Sequence, residues 1–167
     1  MFQTIQAFEH EWGHEAAGTQ KILDVLTDAS LQQEVTPGDR TLGRLAWHIV
    51  TTLHEMMSRT GLEFDAPHHD AALPTSAKEI ADAYRSASAA LLDAVKSQWT
   101  DATLVEECEM YGMKWPNGVT LSILISHQIH HRGQMTILMR QAGLPVPGVY
   151  GPSKEEWAQM GMEPPAI

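Results

Sequence analysis

The stretch that decides the fold is VTLSILISHQIHHRGQMTILMRQAG, residues 119–143. Its apolar side chains cover most of a helical circumference, which predicts a helix over residues 119–142 that is buried on several sides. Gly143 follows this segment directly, as is typical of a helix C-terminus. Two histidines of the segment, His127 and His131, are four residues apart, so they lie on one face of an otherwise apolar helix.

Amphipathic segments precede this helix. Their apolar residues recur at intervals of three and four, which predicts helices over about residues 2–28, 39–60 and 76–98. The Pro- and Gly-rich residues 143–167 predict an irregular tail. Since no segment makes a convincing sheet and none repeats, the sequence predicts an all-α chain that forms one four-helix bundle over residues 1–167. The long links after the second and third helices leave its topology open.

Composition narrows the range of functions. The chain has 167 residues, with 21 acidic and 11 basic side chains and a net charge of −10. Nucleic acids and anionic membranes require a basic surface, so we expect neither as a partner. One cysteine, Cys108, excludes an internal disulfide framework and fits a reducing compartment. We find no signal peptide and no apolar run long enough to span a membrane, so a cytoplasmic protein is expected.

The histidines of the two most apolar helices point to a metal site. A buried imidazole pair such as His127 and His131 costs free energy unless each ring is hydrogen-bonded or binds a metal. The predicted second helix carries His48 on the same face as Leu45 and Ile49, so this imidazole also points inward. The three histidines predict a facial set of three nitrogen ligands that leaves coordination positions open, as in catalytic sites.

Other side chains are candidates for supporting roles at this site. Glu55 lies seven residues after His48 and returns to the same helix face, about 10 Å further along the axis. Gln134 follows His131 by three residues and could place its amide at the site. His130 is expected to edge the site or to bond across a subunit contact. Cys108 is a poor candidate nucleophile, because the sequence places no histidine or helix N-terminus near it.

A competing motif occurs near the N-terminus. HEWGH, residues 10–14, matches the H-E-x-x-H pattern of zinc peptidases, with His10 and His14 one helical turn apart. Such peptidases need a third ligand. Gln20 stands where one common arrangement requires a histidine, and Glu34, at the distance that the other requires, lies beyond the break after the first helix rather than on a clear second helix. We therefore expect His10 and His14 to lie on a solvated or partner-facing side of the first helix, and we use them as a negative control.

Longer stretches of the chain resemble a known family. LAWHIVTTLHE around His48, LISHQIHHRGQMTILMRQAGLPVP from Leu124 to Pro147, and the YGPSKEEW tail are similar to the DinB/YfiT-like metalloenzyme family. The resemblance covers the whole chain in order. It implies a bundle of up-down-down-up topology and a homodimer, and it implies that His48, His127 and His131 bind one divalent ion per chain, such as nickel, zinc or iron.

Characterised members of that family include S-transferases and isomerases that use low-molecular-weight thiols. The resemblance therefore implies a small-molecule substrate and a thiol cosubstrate. We expect a metal-dependent transferase or hydrolase that activates a thiol or water. The alternative is a non-catalytic metal-binding or stress-response protein whose ion is structural or sensed. A bundle without a metal, with histidines satisfied by ordinary hydrogen bonds, is a third interpretation.

Overall fold

The computed structural model of the protein describes residues 1–163 and 165–166. Positions 164 and 167 of the predicted tail lie outside the described residues. Within that part of the chain the α-helices are α1 (Ile5–Asp24), α2 (Leu42–Met57), α3 (Ala77–Gln98) and α4 (Asn117–Gln141). An antiparallel hairpin, β1 (Glu107–Met110) and β2 (Met113–Pro116), lies between α3 and α4. The prediction of an all-α four-helix bundle is confirmed.

Three of the helices, α1, α2 and α3, begin at side-chain caps and are shorter than predicted, whereas α4 begins two residues before its predicted start without such a cap. Thr4, Thr41 and Ser76 each accept a hydrogen bond from a backbone N–H three residues later. Such a cap satisfies one of the otherwise unpaired donors at a helix start, which is why α1 and α2 begin three residues later than the apolar pattern alone indicated. At its other end α2 tightens into a 3₁₀ turn that stops at Gly61, whose φ of +78° is left-handed.

Contacts between the helices establish the topology. Trp12 of α1 bonds to the carbonyl of Ser88 and Gln20 to that of Ala81, so α1 and α3 are antiparallel. Phe2 bonds to Gly118 at one end of the α1–α4 pair. Arg132 bonds to Glu15 further along both helices, so α1 and α4 are parallel.

The remaining pairs complete this arrangement. The side-chain amide of Gln98, at the end of α3, bonds to the backbone N–H and carbonyl of Glu63, which follows α2. The C-terminal ends of α2 and α3 therefore lie together, so these two helices are parallel. Tyr111, just before α4, bonds to Glu55 near the end of α2, so α2 and α4 are antiparallel. The order is therefore up-down-down-up, as the resemblance implied.

The hairpin is the element that the sequence left unclear. Its turn places Tyr111 at φ +53° and Gly112 at φ +79°, two consecutive positive values of the kind that fit a tight two-residue hairpin. Met110 is fully buried, whereas Met113 on the paired strand is exposed. Met110 is thus the one fully buried side chain of the hairpin, while Cys108 and Trp115 are half-buried. No helix in the described part of the chain is both long and apolar enough to cross a membrane.

Candidate metal site

His48 from α2 and His127 and His131 from α4 converge at one point between the helices. A ring nitrogen of each lies within 4.8 Å of the other two. The Nε2 atoms of His48 and His127 are 3.1 Å apart. The three ring centroids are separated by 4.9, 4.7 and 4.4 Å. The i, i+4 spacing aligns the two α4 imidazoles, and antiparallel packing of α2 brings His48 opposite them.

Hydrogen bonds orient two of these rings. The Nδ1 atom of His131 lies 2.8 Å from the Gln134 side-chain oxygen, an arrangement in which Nδ1–H donates and Nε2 keeps its lone pair. The Nδ1 atom of His48 lies 3.5 Å from the Thr52 hydroxyl, which itself donates to the His48 carbonyl at 2.6 Å. In each of these two rings the Nδ1 atom contacts a side chain of its own helix, and the Nε2 atom remains available at the centre of the site.

Electrostatics keep the imidazoles neutral. Burial is the largest of the causes that lower the pKa of His48 to about 4, and the neighbouring His131 and the guanidinium of Arg40 contribute to the same decrease. Burial and the two neighbouring histidines likewise lower the pKa of His127 to about 4. The pKa of His131 is also lowered, first by burial. Neutral imidazoles at physiological pH are the protonation state in which histidine binds metals.

The donor set fits a divalent cation. Two imidazole ligands with bonds of about 2.0–2.1 Å in tetrahedral geometry place their nitrogens about 3.3 Å apart. The separation of 3.1 Å between His48 Nε2 and His127 Nε2 is close to that value. His131 stands within the same cluster at up to 4.8 Å, so a small side-chain rotation completes the set. Nitrogen donors of this kind suit zinc, nickel, copper and iron alike.

Cavities give access to the site. One of about 360 Å³ is lined by His131 and Gln134 together with Val35, Asp39, Arg40, Leu45 and Leu138. A second of about 280 Å³ is lined by His48 with Arg40, Arg44, Trp47, Thr51 and His69. A small molecule could therefore reach His131 from the first cavity and His48 from the second, and Arg40 lines both.

The predicted supporting residues differ in what they contact. Gln134 bonds to His131, and its amide nitrogen lies 3.2 Å from the Nε2 atom of exposed His130. Glu55 makes no hydrogen bond to the three histidines. It accepts hydrogen bonds from Arg59 at 2.9 Å and from the Tyr111 hydroxyl at 2.5 Å. Glu55 thus joins α2 to the hairpin, while its charge still opposes part of the pKa lowering at His48.

The remaining histidines lie elsewhere. His10 and His14 are exposed, and among the described residues no third metal-ligating side chain joins them. His68 and His69 form a second close group with Asp70, but all three side chains are exposed on one loop. Cys108 contacts the Trp115 carbonyl at 3.6 Å and the Thr120 hydroxyl at 3.7 Å rather than any site histidine.

A buried ion pair behind the site was not anticipated from the sequence. Arg132 follows His131 directly, and its side chain is only 3% exposed. It donates to the Glu15 carboxylate at 2.6 Å, the Glu15 carbonyl at 3.0 Å and the Thr19 hydroxyl at 3.1 Å. The Tyr150 hydroxyl of the tail contacts both charged groups. This network fixes α4 against α1 at the residue next to a ligand candidate.

A sequence signal for that network exists in retrospect. Arg132 is a charged residue inside the most apolar helix, and Glu15 and Thr19 share one helical stripe of α1 with Trp12. Trp12 is part of the core, 1% exposed, with its indole N–H donating to the Ser88 carbonyl. Glu15 and Thr19 instead receive the guanidinium, because a buried charge requires a charged partner.

Comparison with known proteins finds relatives of similar sequence along the whole chain. The sequence model of the DinB family matches residues 1–165. An uncharacterised protein, YrdA, of Bacillus subtilis strain 168 is 56% identical over 167 residues, and the match covers all of both chains.

Solved structures show the same architecture. A crystal structure of a DinB-like protein from Bacillus cereus ATCC 10987 superposes with a TM-score of 0.87 and 55% identity, over 90% of this chain and 100% of that one. A DinB-like protein of Bacillus subtilis, YjoA, has a TM-score of 0.66 at 17% identity, over 83% of this chain and 96% of that one, and so shares the fold. The chain belongs to the DinB family.

Proposed function

We propose that this protein is a metal-dependent enzyme that activates a thiol or a water molecule at the site formed by His48, His127 and His131. The observation that carries the proposal is the convergence of three neutral imidazoles beside a cavity of about 360 Å³. Within the described residues no fourth histidine, cysteine or carboxylate joins this group. A structural ion is usually closed by four protein ligands, whereas a catalytic ion keeps a position open.

The chemistry follows from the ligand set. A divalent ion held by three imidazoles would supply a Lewis acid that lowers the pKa of a bound thiol or water toward neutrality. Gln134 would hold the His131 ring in the required tautomer, and Thr52 would do the same for His48. Leu45 and Leu138 would restrict water in the cavity, which strengthens electrostatic interactions inside it.

The thiol is proposed as the nucleophile on the family resemblance. Characterised members include S-transferases and isomerases that use low-molecular-weight thiols, and no ligand position of this chain departs from the family's pattern. In the proposed reaction the thiol would lose its proton to solvent, its sulfur would form a bond to the electrophilic carbon of a small substrate, and the leaving group on that carbon would depart with the electron pair of the broken bond. Hydrolysis, in which water takes the place of the thiol, is the second reaction that the same site would support.

Metal analysis of purified variants tests the site. We expect wild type to bind one divalent ion per chain and the single variants His48→Ala, His127→Ala and His131→Ala to lose it. The matched control is the double variant His10→Ala/His14→Ala, which removes the exposed histidine pair of α1 and should keep the ion. Loss of the ion in the control with retention in the other three would show that the assignment is wrong.

Turnover is tested separately. Wild type loaded with zinc, nickel or iron is screened with several biological thiols and electrophilic acceptors, and the metal-free protein serves as the background. Turnover that depends on both the metal and His48 supports the transferase. A stoichiometric ion without turnover above background in any combination would favour the non-catalytic, structural or sensing role instead.

A homodimer is proposed on the same resemblance. Ile137 on α4 and Val35 near the first cavity are each 59% exposed, so these apolar side chains are available to a partner. Sedimentation equilibrium of the purified protein measures the mass directly. A mass of 18.5 kDa at all concentrations would mean that the protein is a monomer.

A further inference from the structure

The arginines of the chain are distributed in an informative way. Four of them form ion pairs with carboxylates, namely Arg59 with Glu55, Arg85 with Asp24, Arg132 with Glu15 and Arg140 with Glu155. The other two, Arg40 and Arg44, make no side-chain hydrogen bond or ion pair with any residue that the structure describes. Both side chains are exposed, and both line the cavity that contains His48, in a chain whose 21 acidic residues outnumber its 11 basic ones.

Both free arginines lie at the three-histidine site. Arg40 lines the cavity that contains His131 and also the cavity that contains His48. Arg44 lines the second cavity together with His48 and Thr51. Arg40 therefore borders both spaces that a reacting small molecule could occupy, and Arg44 borders the second.

The nearby carboxylates form no ion pair with these two arginines. Asp39 lines the first cavity, but its side chain accepts a hydrogen bond from the Thr36 hydroxyl at 2.7 Å. Glu55 is held by Arg59 and Tyr111. Neither carboxylate bonds to Arg40 or Arg44, so the donor groups of both arginines remain available.

Helix stability does not account for the placement of Arg44. It is the third residue of α2, whose first turn contains no acidic side chain. A cation at a helix N-terminus is disfavoured by the helix dipole, whereas a carboxylate there would be stabilising. The arginine thus occupies a position that costs stability, as residues placed for binding often do.

We infer that Arg40 and Arg44 bind an oxyanion group, a carboxylate or a phosphate, of the small molecule that reacts at the three-histidine site. This inference rests on the proposed function, since it names the substrate class of the same site. Guanidinium groups suit the role because their planar donors match the two oxygens of such a group. The anion would orient the molecule with its reactive end toward the histidines.

Thiols of similar size and different charge provide the test. Cobalt-loaded protein, whose absorption spectrum changes when a thiol binds the ion, is titrated with 3-mercaptopropionate, 2-mercaptoethanol and cysteamine. The comparison is made between wild type and Arg40→Gln/Arg44→Gln for each thiol, so that differences in intrinsic thiol acidity cancel. The control is Arg85→Gln, which removes an exposed arginine that pairs with Asp24 on another face.

The expected changes follow the charge of the probe. The double variant should bind 3-mercaptopropionate roughly tenfold more weakly, about the strength of one charge-assisted hydrogen bond. Binding of neutral 2-mercaptoethanol should be unchanged and that of cationic cysteamine should become tighter. The variant should also unfold at a slightly higher temperature, because a cation leaves the start of α2. Equal changes for all three thiols, or none, would overturn the inference.

A second measurement separates this inference from the proposed function. Zinc-loaded protein is titrated with succinate, with inorganic phosphate and with neutral succinamide while the Nε–Hε NMR signals of Arg40 and Arg44 are followed. We expect saturable shifts with at least one anion and none with succinamide, and the anion that binds more tightly identifies the preferred group. Shifts here without any thiol response in the cobalt spectrum would leave the anion site standing and refute thiol activation. No saturable shift with either anion would refute the anion site.

Discussion

Replacement of Arg132 by methionine should destabilise the protein strongly. The guanidinium is 3% exposed and the Glu15 side chain is 9% exposed, so each charge is removed from water and depends on the other. In Arg132→Met the Glu15 carboxylate keeps the Tyr150 hydroxyl as a hydrogen-bond donor but loses its counter-charge. Removing one partner of a buried ion pair typically costs about 3–5 kcal/mol, because the other charge stays buried and uncompensated.

The expected size of the effect can be measured in two ways. Urea unfolding of the metal-free protein should show a free energy of unfolding lower by about 3–5 kcal/mol than that of wild type. For a chain of this length each kcal/mol changes the thermal midpoint by about 2–4 °C, so we expect a decrease of roughly 6–20 °C. Chelation of metal in all samples separates the packing effect from any change in metal binding.

The matched control is an exposed ion pair. Arg85 bonds to Asp24 at 2.7 Å, but the two side chains are 55% and 44% exposed. Solvent screens such pairs, so Arg85→Met should change the stability by only about 0–1 kcal/mol. A double-mutant cycle with Glu15→Leu and Arg132→Met should give a coupling energy of about 2 kcal/mol or more. If Arg132→Met were no more destabilising than Arg85→Met, the buried pair would not fix α4 against α1 as argued.

Further outcomes are expected. Tyr84→Phe removes the buried bond of 2.5 Å to the Gln128 oxygen, and urea unfolding should show a loss of about 1–3 kcal/mol. Gly118→Ala should destabilise the protein, because a Cβ at this position would lie 2.3 Å from the Phe2 carbonyl oxygen. Gly13→Ala should not, because a Cβ there has no described atom within 4 Å other than those of the neighbouring residues and of its own helix backbone. Removing metal by EDTA should lower the thermal midpoint by roughly 8 °C relative to samples with metal at 100 times its Kd. The first expectation would be contradicted if Tyr84→Phe were as stable as wild type. The second would be contradicted if the two glycine variants were equally stable, and the third if metal-loaded and metal-free protein were.

The sequence predicted the bundle because each long helix can be recognised from the local spacing of its apolar residues, without knowledge of its tertiary contacts. It left the hairpin unclear, because β1 and β2 are each four residues long and too short for a reliable alternating pattern. Helix starts were misplaced by up to three residues, since the caps at Thr4 and Thr41 depend on a single hydrogen bond rather than on periodicity.

For the candidate site, the sequence alone predicted the alignment of His127 and His131, because a four-residue spacing places two side chains on one helix face regardless of context. It also predicted that His48 points inward. That His48 meets the α4 pair within 4.8 Å, and that Arg40 lies beside them, was decided by the antiparallel packing of α2 on α4. Contacts between distant segments depend on how whole helices pack, so the ion pair of Arg132 with Glu15, 117 residues away, became visible only in the tertiary structure.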